Sequence, residues 1–157
     1  MPAFSVGRTQ ELLYALNQLE LENRLPDLDY YVDSPLSVEA TEIVKAHPEY
    51  FNRKIQRIMK TDQDPFAFKG LKYVKTVEQS KQLNFMNGPL VIISASGMAD
   101  AGRVKHHISN NIENSRNTIL FTGYCEPRSL GGRLMAGNKE VSIYGVQHEV
   151  HAEIGAI

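Results

Sequence analysis

The sequence has one cysteine, Cys125, and no tryptophan among its 157 residues. A single thiol excludes an intrachain disulfide framework and any zinc site built from several cysteines. No apolar run approaches the roughly 20 residues that a membrane-spanning helix requires. The first residues also lack the basic leader and apolar core of a signal peptide. We therefore expect a cytoplasmic domain that keeps its thiol reduced and has no membrane partner.

Excess charge of one sign is also absent, because 17 basic residues nearly balance 18 acidic ones and leave a net charge of −1. Such a chain has no global positive field, so a polyanion would have to bind at a local patch. Hydrophobic residues make up 42% of the chain, which at this length supports one domain with its own core. We predict a single domain over residues 1–157. Both ends are strand-like, and we expect a piece of a longer chain.

Three familiar active-site motifs are missing. Neither the Gly-x4-Gly-Lys-Ser/Thr loop nor the Gly-x-Gly-x-x-Gly turn occurs, which leaves no mononucleotide or dinucleotide fingerprint. Gly-x-Ser-x-Gly is also absent, so Ser94 and Ser96 are poor candidates for a nucleophile. His106 and His107 would point about 100° apart on a helix, so we predict one buried and one exposed. Cys125 has no evident thiolate-stabilising neighbour, and the histidines do not supply the three or four converging ligands of a metal site. We therefore predict no catalytic residue and no metal ligand in this chain.

What the sequence does contain is a regular alternation of apolar runs and helical patterns. The strongest run, 90–93, is Leu-Val-Ile-Ile, which is typical of a strand buried on both faces of a parallel sheet. Strands alternating with helices favour parallel pairing through right-handed crossovers. We predict an α/β fold with three layers, α/β/α, and a mainly parallel sheet of about five to six strands, similar to the Rossmann and flavodoxin folds. The predicted strands are 4–6, 30–32, 71–74, 90–93, 118–122, 141–144 and 150–154.

Small residues and basic side chains follow several of these strands. In an open α/β sheet, ligands bind beyond the carboxyl ends of the strands. Arginine forks match phosphate oxygens, and small residues let a ligand approach the backbone. The same small residues also suit an ordinary tight strand-to-helix turn, so the residues alone leave both interpretations open. The candidate phosphate-contacting residues are Arg8, Ser94, Ser96, Gly97, Arg103, Lys105 and Arg133.

Five ordered blocks carry a resemblance to a known family. They are PAFSVGRTQELL at 2–13, VDSPL at 32–36, IISASGM at 92–98, GRxKHH at 102–107 and NTILFxGY at 117–124. Together they resemble the β-CASP domain of metallo-β-lactamase-fold ribonucleases, above all the bacterial and archaeal relatives of the cleavage and polyadenylation specificity factor nuclease. The resemblance covers essentially the whole chain. Five of the candidate residues occupy its motif positions: Arg8, Ser94, Ser96, Gly97 and Arg103.

The resemblance implies a parent enzyme that hydrolyses RNA phosphodiesters with two zinc ions. In that family the ions lie in the metallo-β-lactamase domain, on a His-x-His-x-Asp-His motif, and the inserted β-CASP domain closes over the cleft and helps to hold single-stranded RNA. This chain lacks that motif and the Phe-Ser-Ala-His and Val-His-Gly-Glu segments. We therefore expect an RNA-clamping domain, inactive alone and without a cofactor of its own. Its expected partners are single-stranded RNA and the parent's metallo-β-lactamase domain, which would hold the two zinc ions.

Two other functions fit the residues. A stand-alone flavodoxin-like domain would bind a nucleotide or phosphate at the same sheet edge. A protein-interaction module would use Phe66, Phe68 and an amphipathic helix predicted over 50–60 as its contact surface. Against the second alternative, aromatic residues in a loop more often anchor in a core than face a partner, so we predict that both phenylalanines are buried.

Overall fold

Helices and strands alternate along the chain in the computed structural model, which describes residues 1–157. The helices are α1 (Arg8–Leu21), α2 (Pro35–Ala46), α3 (Arg53–Ile58), α4 (Val77–Gln82), α5 (Arg103–Asn111) and α6 (Leu130–Met135). The strands are β1 (Asp29–Val32), β2 (Leu71–Tyr73), β3 (Leu90–Ile93), β4 (Thr118–Phe121), β5 (Glu140–Ile143), β6 (Val146–Glu149) and β7 (Glu153–Ala156). None of the helices combines the length and the apolar content needed to cross a membrane.

The starts of α2 and α4 follow from local side-chain chemistry. The Ser34 hydroxyl accepts a hydrogen bond from the Ser37 N–H, and Pro35 occupies the first helical position. The Thr76 hydroxyl accepts from the Gln79 N–H, while the Gln79 side chain accepts from the Thr76 N–H. Both arrangements satisfy N–H groups that a helix start leaves without partners. Both starts are visible in the sequence because the bonds join residues at most four positions apart.

The strand predicted over residues 4–6 is wrong. Residues 5–7 form a turn, and the Phe4 carbonyl accepts hydrogen bonds from the backbone N–H and the hydroxyl of Thr9. Gly7, with φ +85°, therefore takes the capping position before α1. Sheet pairing occurs earlier in the chain, where Pro2 forms a parallel bridge with Ser94. A turn held by Thr9 leaves no room for a strand that runs on to residue 6.

The strands form three small sheets instead of one. The first is parallel with the order β2-β1-β3, the second is the parallel pair β4-β7, and the third is the antiparallel hairpin β5-β6. Parallel pairing is confirmed, since Tyr30 aligns with both Leu71 and Val91. The continuous sheet of five to six strands is not found. Residues 1–3 lie between the two parallel sheets, where the Ser94 N–H and the Thr122 hydroxyl donate to the carbonyls of residues 1 and 2 respectively.

Residues 1–3 fill only part of the space between β3 and β4. The rest of that space is an open trough of about 900 Å³. The residues Leu90, Val91 and Ile92 line it and are only half-buried. The prediction that β3 is buried on both faces is therefore wrong for most of the strand. The physical reason is that β3 pairs with β1 on one side, while its other edge is paired only at its carboxyl end.

Helices cover both faces of the first parallel sheet, as predicted for a three-layer arrangement. Tyr30 and Val32 pack with Leu13 of α1 and Val38 of α2. Tyr31, which points to the opposite face because side chains alternate along a strand, packs with residues that include Leu83 after α4. A second core surrounds Phe121 and joins β4 to α5, α6 and the β5-β6 hairpin. The fold is therefore α/β with a helical layer on each side of the β2-β1-β3 sheet.

The loop aromatics are buried, and the helix before them is shorter than predicted. Phe66 and Phe68 pack in the same core as Tyr30 and Val32 of β1. The prediction that both phenylalanines are buried is confirmed, so neither is available to a contact surface. The helix predicted over 50–60 is only α3, because Phe51 is extended and the Asn52 side chain caps the helix by accepting from two backbone N–H groups. The aromatic partner surface of the protein-interaction hypothesis is therefore not formed.

Candidate nucleic-acid interface

The carboxyl ends of three strands, β1, β3 and β4, meet at one edge of the molecule. Asp33 follows β1, Ser94 follows β3 and Thr122 follows β4, while Ser94 and Thr122 both bond to residues 1–3. The starts of α1 and α2 reach the same place, since the Ser5 and Ser34 hydroxyls lie 3.3 Å apart. We call this surface the strand-end edge. It is the position where α/β sheets bind ligands.

A buried carboxylate holds the elements of the strand-end edge in place. The Asp33 side chain is fully buried, with 0% exposure. One of its oxygens accepts from the Arg103 guanidinium at 2.7 Å, and the other lies 2.6 Å from His107 Nε2 and also accepts from Ser80. Arg103 further donates to the carbonyls of residues 74 and 75. The Asp33 cluster therefore fastens the ends of β1 and β2 to α4 and α5.

The electrostatics of the cluster favour the ionised form of Asp33. Burial alone would raise the pKa of this carboxyl, but hydrogen bonds from His107, Ser80 and Arg103 more than offset burial and hold the pKa below its usual value. A carboxylate can only accept hydrogen bonds, so His107 Nε2 carries the proton between them. Because Asp33 has no exposed surface, it cannot act as a general base toward a ligand at the edge. Its role is to hold the surrounding elements in place.

Two predicted contact residues shape the edge instead of facing outward. Ser94 is 2% exposed, and its hydroxyl donates to the Asp33 carbonyl oxygen at 2.7 Å. Gly97 is buried, and a Cβ there would lie 2.9 Å from the Phe4 ring. Ser96 is more accessible, since the residue is only half-buried; its hydroxyl donates to the Ala101 carbonyl oxygen at 3.3 Å and keeps its own oxygen free to accept. Within this turn, the Ser96 hydroxyl is the group that the edge offers to a ligand.

Arg8 joins two of the strand ends. Its side chain is 46% exposed and forms an ion pair of 2.7 Å with Glu11 on the same helix. It also lies against Gly123, where a Cβ would be 3.7 Å from Arg8 Nε. The guanidinium at the start of α1 therefore extends across the end of β4, over a backbone that carries no side chain. This combination of a cation and an open backbone suits an anion.

Arg103, Lys105 and Arg133 do not join Arg8 and Ser96. The Arg103 guanidinium is bound within the Asp33 cluster and is only 20% exposed. The Lys105 ammonium lies 4.6 Å from the centre of the Tyr144 ring, on the side of the molecule that α4 and α5 form. Arg133 is half-buried in the last turn of α6, and its Nε is buried without a hydrogen-bond partner.

Sequence reasoning missed His107 and Ser80 as partners of Asp33, and it missed Tyr144. The available signal was an acidic residue placed directly after an apolar strand, where an unpaired charge would be costly. The prediction of one buried and one exposed histidine is confirmed, since His107 is 7% exposed and His106 lies at the surface. Cys125 is buried, and burial raises the pKa of its thiol, with a smaller contribution from Asp100.

The donor groups of this chain do not fit a zinc ion. No group of three or more histidine, cysteine, aspartate or glutamate side chains is arranged to hold a metal. Asp33 and His107 form one histidine–carboxylate pair, but hydrogen bonds from Arg103 and Ser80 already occupy that carboxylate. A protein zinc site needs three or four converging ligands. The residues of this chain therefore do not form a metal site of their own.

Comparison with known proteins establishes the family. Residues 9–134 match the model of the Beta-Casp domain, so the chain belongs to the β-CASP domain family. Ribonuclease TTHA0252 from Thermus thermophilus is 33% identical over 154 residues, which cover 98% of this chain and 35% of the ribonuclease. The transcription termination factor FttA from Methanosarcina mazei is 34% identical over 92% of this chain and 23% of that factor. An RNase J-like protein from Methanocaldococcus jannaschii is 30% identical over 90% of this chain and 31% of that protein.

These comparisons confirm the resemblance that the five sequence blocks carry. The blocks at 32–36, 92–98, 102–107 and 117–124 lie inside the matched range, and the block at 2–13 overlaps its start. The chain spans about a third or less of the length of these three relatives.

Proposed function

We propose that this chain is the RNA-clamping β-CASP domain of a ribonuclease and holds single-stranded RNA along the strand-end edge. The names of two relatives, a ribonuclease and an RNase J-like protein, support this class of substrate. In this proposal Arg8 and Ser96 contact the RNA backbone, while Ser94, Gly97 and Arg103 hold the edge in shape. The phosphate contacts carry no base sequence information, so binding would be tolerant of sequence.

The placement of Arg8 is the observation that carries this proposal. Its guanidinium lies over Gly123 at the end of β4, and its present partner, Glu11, is an exposed carboxylate. Exposed ion pairs contribute little free energy, so a phosphate can replace Glu11 at low cost. An arginine fork binds phosphate through two parallel hydrogen bonds. Of the candidate residues, Arg8 and Ser96 combine an accessible polar side chain with a position at the strand ends.

We further propose that hydrolysis belongs to a metallo-β-lactamase domain elsewhere in the parent chain, with two zinc ions. The absence of the zinc-binding motif from these residues and the poor fit of Asp33 and His107 to a metal support this division of roles. The isolated 157-residue chain should therefore bind RNA without cleaving it when zinc is added. Cleavage by the isolated chain that Arg8→Gln abolished would overturn this part of the proposal.

The same proposal extends to the sheet. We infer that β2-β1-β3 and β4-β7 are halves of one parallel sheet, with residues 1–3 between them. The hydrogen bonds from Ser94 and Thr122 to residues 1 and 2 support this arrangement, as does the parallel bridge at Pro2. In this arrangement the ends of β1, β3 and β4 remain at one edge and present a continuous surface to RNA.

Charge changes at Arg8 and Glu11 should shift RNA affinity in opposite directions. Arg8→Gln removes a phosphate contact, so we expect roughly threefold to tenfold weaker binding. The slope of log affinity against log salt concentration should become smaller by about one. Glu11→Gln removes the carboxylate that competes with phosphate, so we expect roughly twofold to fivefold tighter binding. Fluorescence anisotropy with a labelled single-stranded oligonucleotide at several salt concentrations measures both effects.

Arg24→Gln is the matched control. Arg24 forms an ion pair of the same length, 2.7 Å, with Glu22, but it lies beyond the carboxyl end of α1 and so at the opposite end of the sheet. We expect RNA affinity within about twofold of the unmodified chain, because the charge removed is the same and only its position differs. Equal losses from Arg8→Gln and Arg24→Gln would show non-specific charge attraction.

Calorimetric titration with mononucleotides tests the flavodoxin-like alternative, which requires a mononucleotide to bind more tightly than the oligonucleotide.

A further inference from the structure

A second basic surface lies next to the strand-end edge. It is a groove of about 610 Å³ between α4 and α5, closed at one end by the tip of the β5-β6 hairpin. Arg103 lines this groove and also belongs to the Asp33 cluster, so the groove adjoins the strand-end edge. The side chains that define the groove are Lys81, Asn84, Lys105, His106, Asn110 and Tyr144.

Tyr144 is an unusual residue for its place at the hairpin tip. Tyr144 and Gly145 form the two-residue turn, and both have positive φ values, +53° and +79°. This turn type favours Asn-Gly or Asp-Gly, because a bulky side chain is strained in the left-handed region. Asparagine would therefore form the turn better than tyrosine does. A strained residue of this kind points to a role for its side chain beyond turn formation.

The neighbours of the Tyr144 ring match the chemistry that binds single-stranded nucleic acid. The ring is stacked with His106, with a centroid distance of 4.8 Å and an interplanar angle of 27°. The Lys105 ammonium lies 4.6 Å from the ring centre, and Tyr144 is 53% exposed. Single-stranded RNA is held by bases that stack on aromatic rings and by phosphates that meet nearby cations.

The remaining groups of the groove favour an anionic ligand with polar edges. Lys81 and Lys105 form no ion pair with any carboxylate of the chain. The one acidic residue of the groove, Asp100, accepts a hydrogen bond from the Leu130 N–H at 2.7 Å. The amide side chains of Asn84 and Asn110 bond to each other at 3.0 Å and keep further donors and acceptors free.

We propose that this groove is a second RNA subsite, which takes a nucleotide that continues from the strand-end edge. The base stacks at the Tyr144–His106 pair, and the adjoining phosphate lies between Lys105 and Lys81. The amides of Asn84 and Asn110 face the polar edge of the base. This inference rests on the proposed function, because it extends the path of the same RNA strand beyond Arg103.

The Tyr144→Asn variant tests the contribution of the ring to RNA binding without destabilising the fold. The variant removes the ring and creates the preferred Asn-Gly turn, so its urea unfolding midpoint should be unchanged or higher. Its affinity for a labelled ten-nucleotide single-stranded RNA should fall about tenfold, as expected for the loss of one stacked base. Tyr144→Phe keeps the ring and should bind within about twofold of the unmodified chain. Lys105→Gln should weaken binding and reduce its salt dependence by about one ion.

An oligonucleotide of the same length without bases tests stacking directly. The unmodified chain should prefer the normal RNA, and Tyr144→Asn should bind the two strands about equally. If Tyr144→Asn binds normal RNA like the unmodified chain while Arg8→Gln binds it weakly, the groove is not a subsite and the proposed function stands. If neither variant weakens binding, the proposed function fails as well. Displacement of RNA by an equal concentration of poly-glutamate would also overturn the inference and assign the groove to an acidic protein.

Discussion

Replacement of Asp33 by asparagine is expected to lower the unfolding free energy by about 3–5 kcal/mol, the range for breaking a buried ion pair from one side. Asp33 is the shared acceptor for Arg103, His107 and Ser80, and it is completely buried. Asparagine retains the shape of the side chain but loses the negative charge. Arg103 would then be partly buried without its carboxylate, and the link between β1, β2 and α5 would weaken.

Urea unfolding at pH 7 measures this change, and Asp27→Asn is the matched control. Asp27 pairs with Lys69 at 3.0 Å on the surface, where an ion pair contributes about 0–1 kcal/mol. The double variant Asp33→Asn, Arg103→Met replaces both charged partners. It should recover part of the lost unfolding free energy, because the arginine charge is no longer left without its carboxylate. If Asp33→Asn costs no more than Asp27→Asn, the Asp33 cluster does not hold these elements together.

The Asp33 cluster also predicts sensitivity to acid. Because the pKa of Asp33 is lowered in the folded state, its contribution is fully present above the ordinary carboxyl pKa of about 3.9. It is lost as the pH falls through the lower folded-state pKa. The unmodified chain should therefore lose more stability than Asp33→Asn between pH 5 and pH 2. Identical acid profiles for the two proteins would contradict an ionised Asp33.

Gly102→Ala is expected to lower the unfolding free energy by about 3 kcal/mol or more, because backbone strain and steric overlap of the added methyl group act together. Gly102 precedes α5 with φ +77° and ψ −175°, a conformation that glycine adopts at little cost. A Cβ at this position would overlap the Ala95 carbonyl oxygen. Relief of the overlap requires the turn between β3 and α5 to open, and that turn carries Ser96. RNA affinity should therefore fall together with stability.

Gly88→Ala provides the control for backbone conformation alone. Gly88 has φ +94°, and a Cβ there would meet no atom within 4 Å. We expect a cost of about 1–2 kcal/mol from the left-handed conformation, with unchanged RNA affinity for the folded protein. The difference between the two variants in urea unfolding isolates the close contact at Ala95. Equal costs would mean that the turn moves away from the added methyl group without penalty.

Much of the fold could be predicted from neighbouring residues, and most of the site could not. The run at 90–93 predicted a strand, and the small residues after it predicted the turn that leads to α5. The seven candidate residues were chosen because they follow strands, yet the structure leaves mainly Arg8 and Ser96 with accessible polar side chains at the edge. Ser94 faces inward because its hydroxyl finds the Asp33 carbonyl oxygen, a partner 61 residues away.

The sequence by itself determined the class of fold, the helix starts at Ser34 and Thr76, and the family. Helix starts depend on hydrogen bonds within one turn, and the alternation of strand and helix depends on periods of two and 3.6 residues. Only the tertiary structure decided that Arg103 and His107, 70 and 74 residues after Asp33, bind its buried carboxylate, and that Lys105 lies at Tyr144. These contacts join distant elements, so the packing of α4 and α5 on the sheet selects among donors that look equivalent in the sequence.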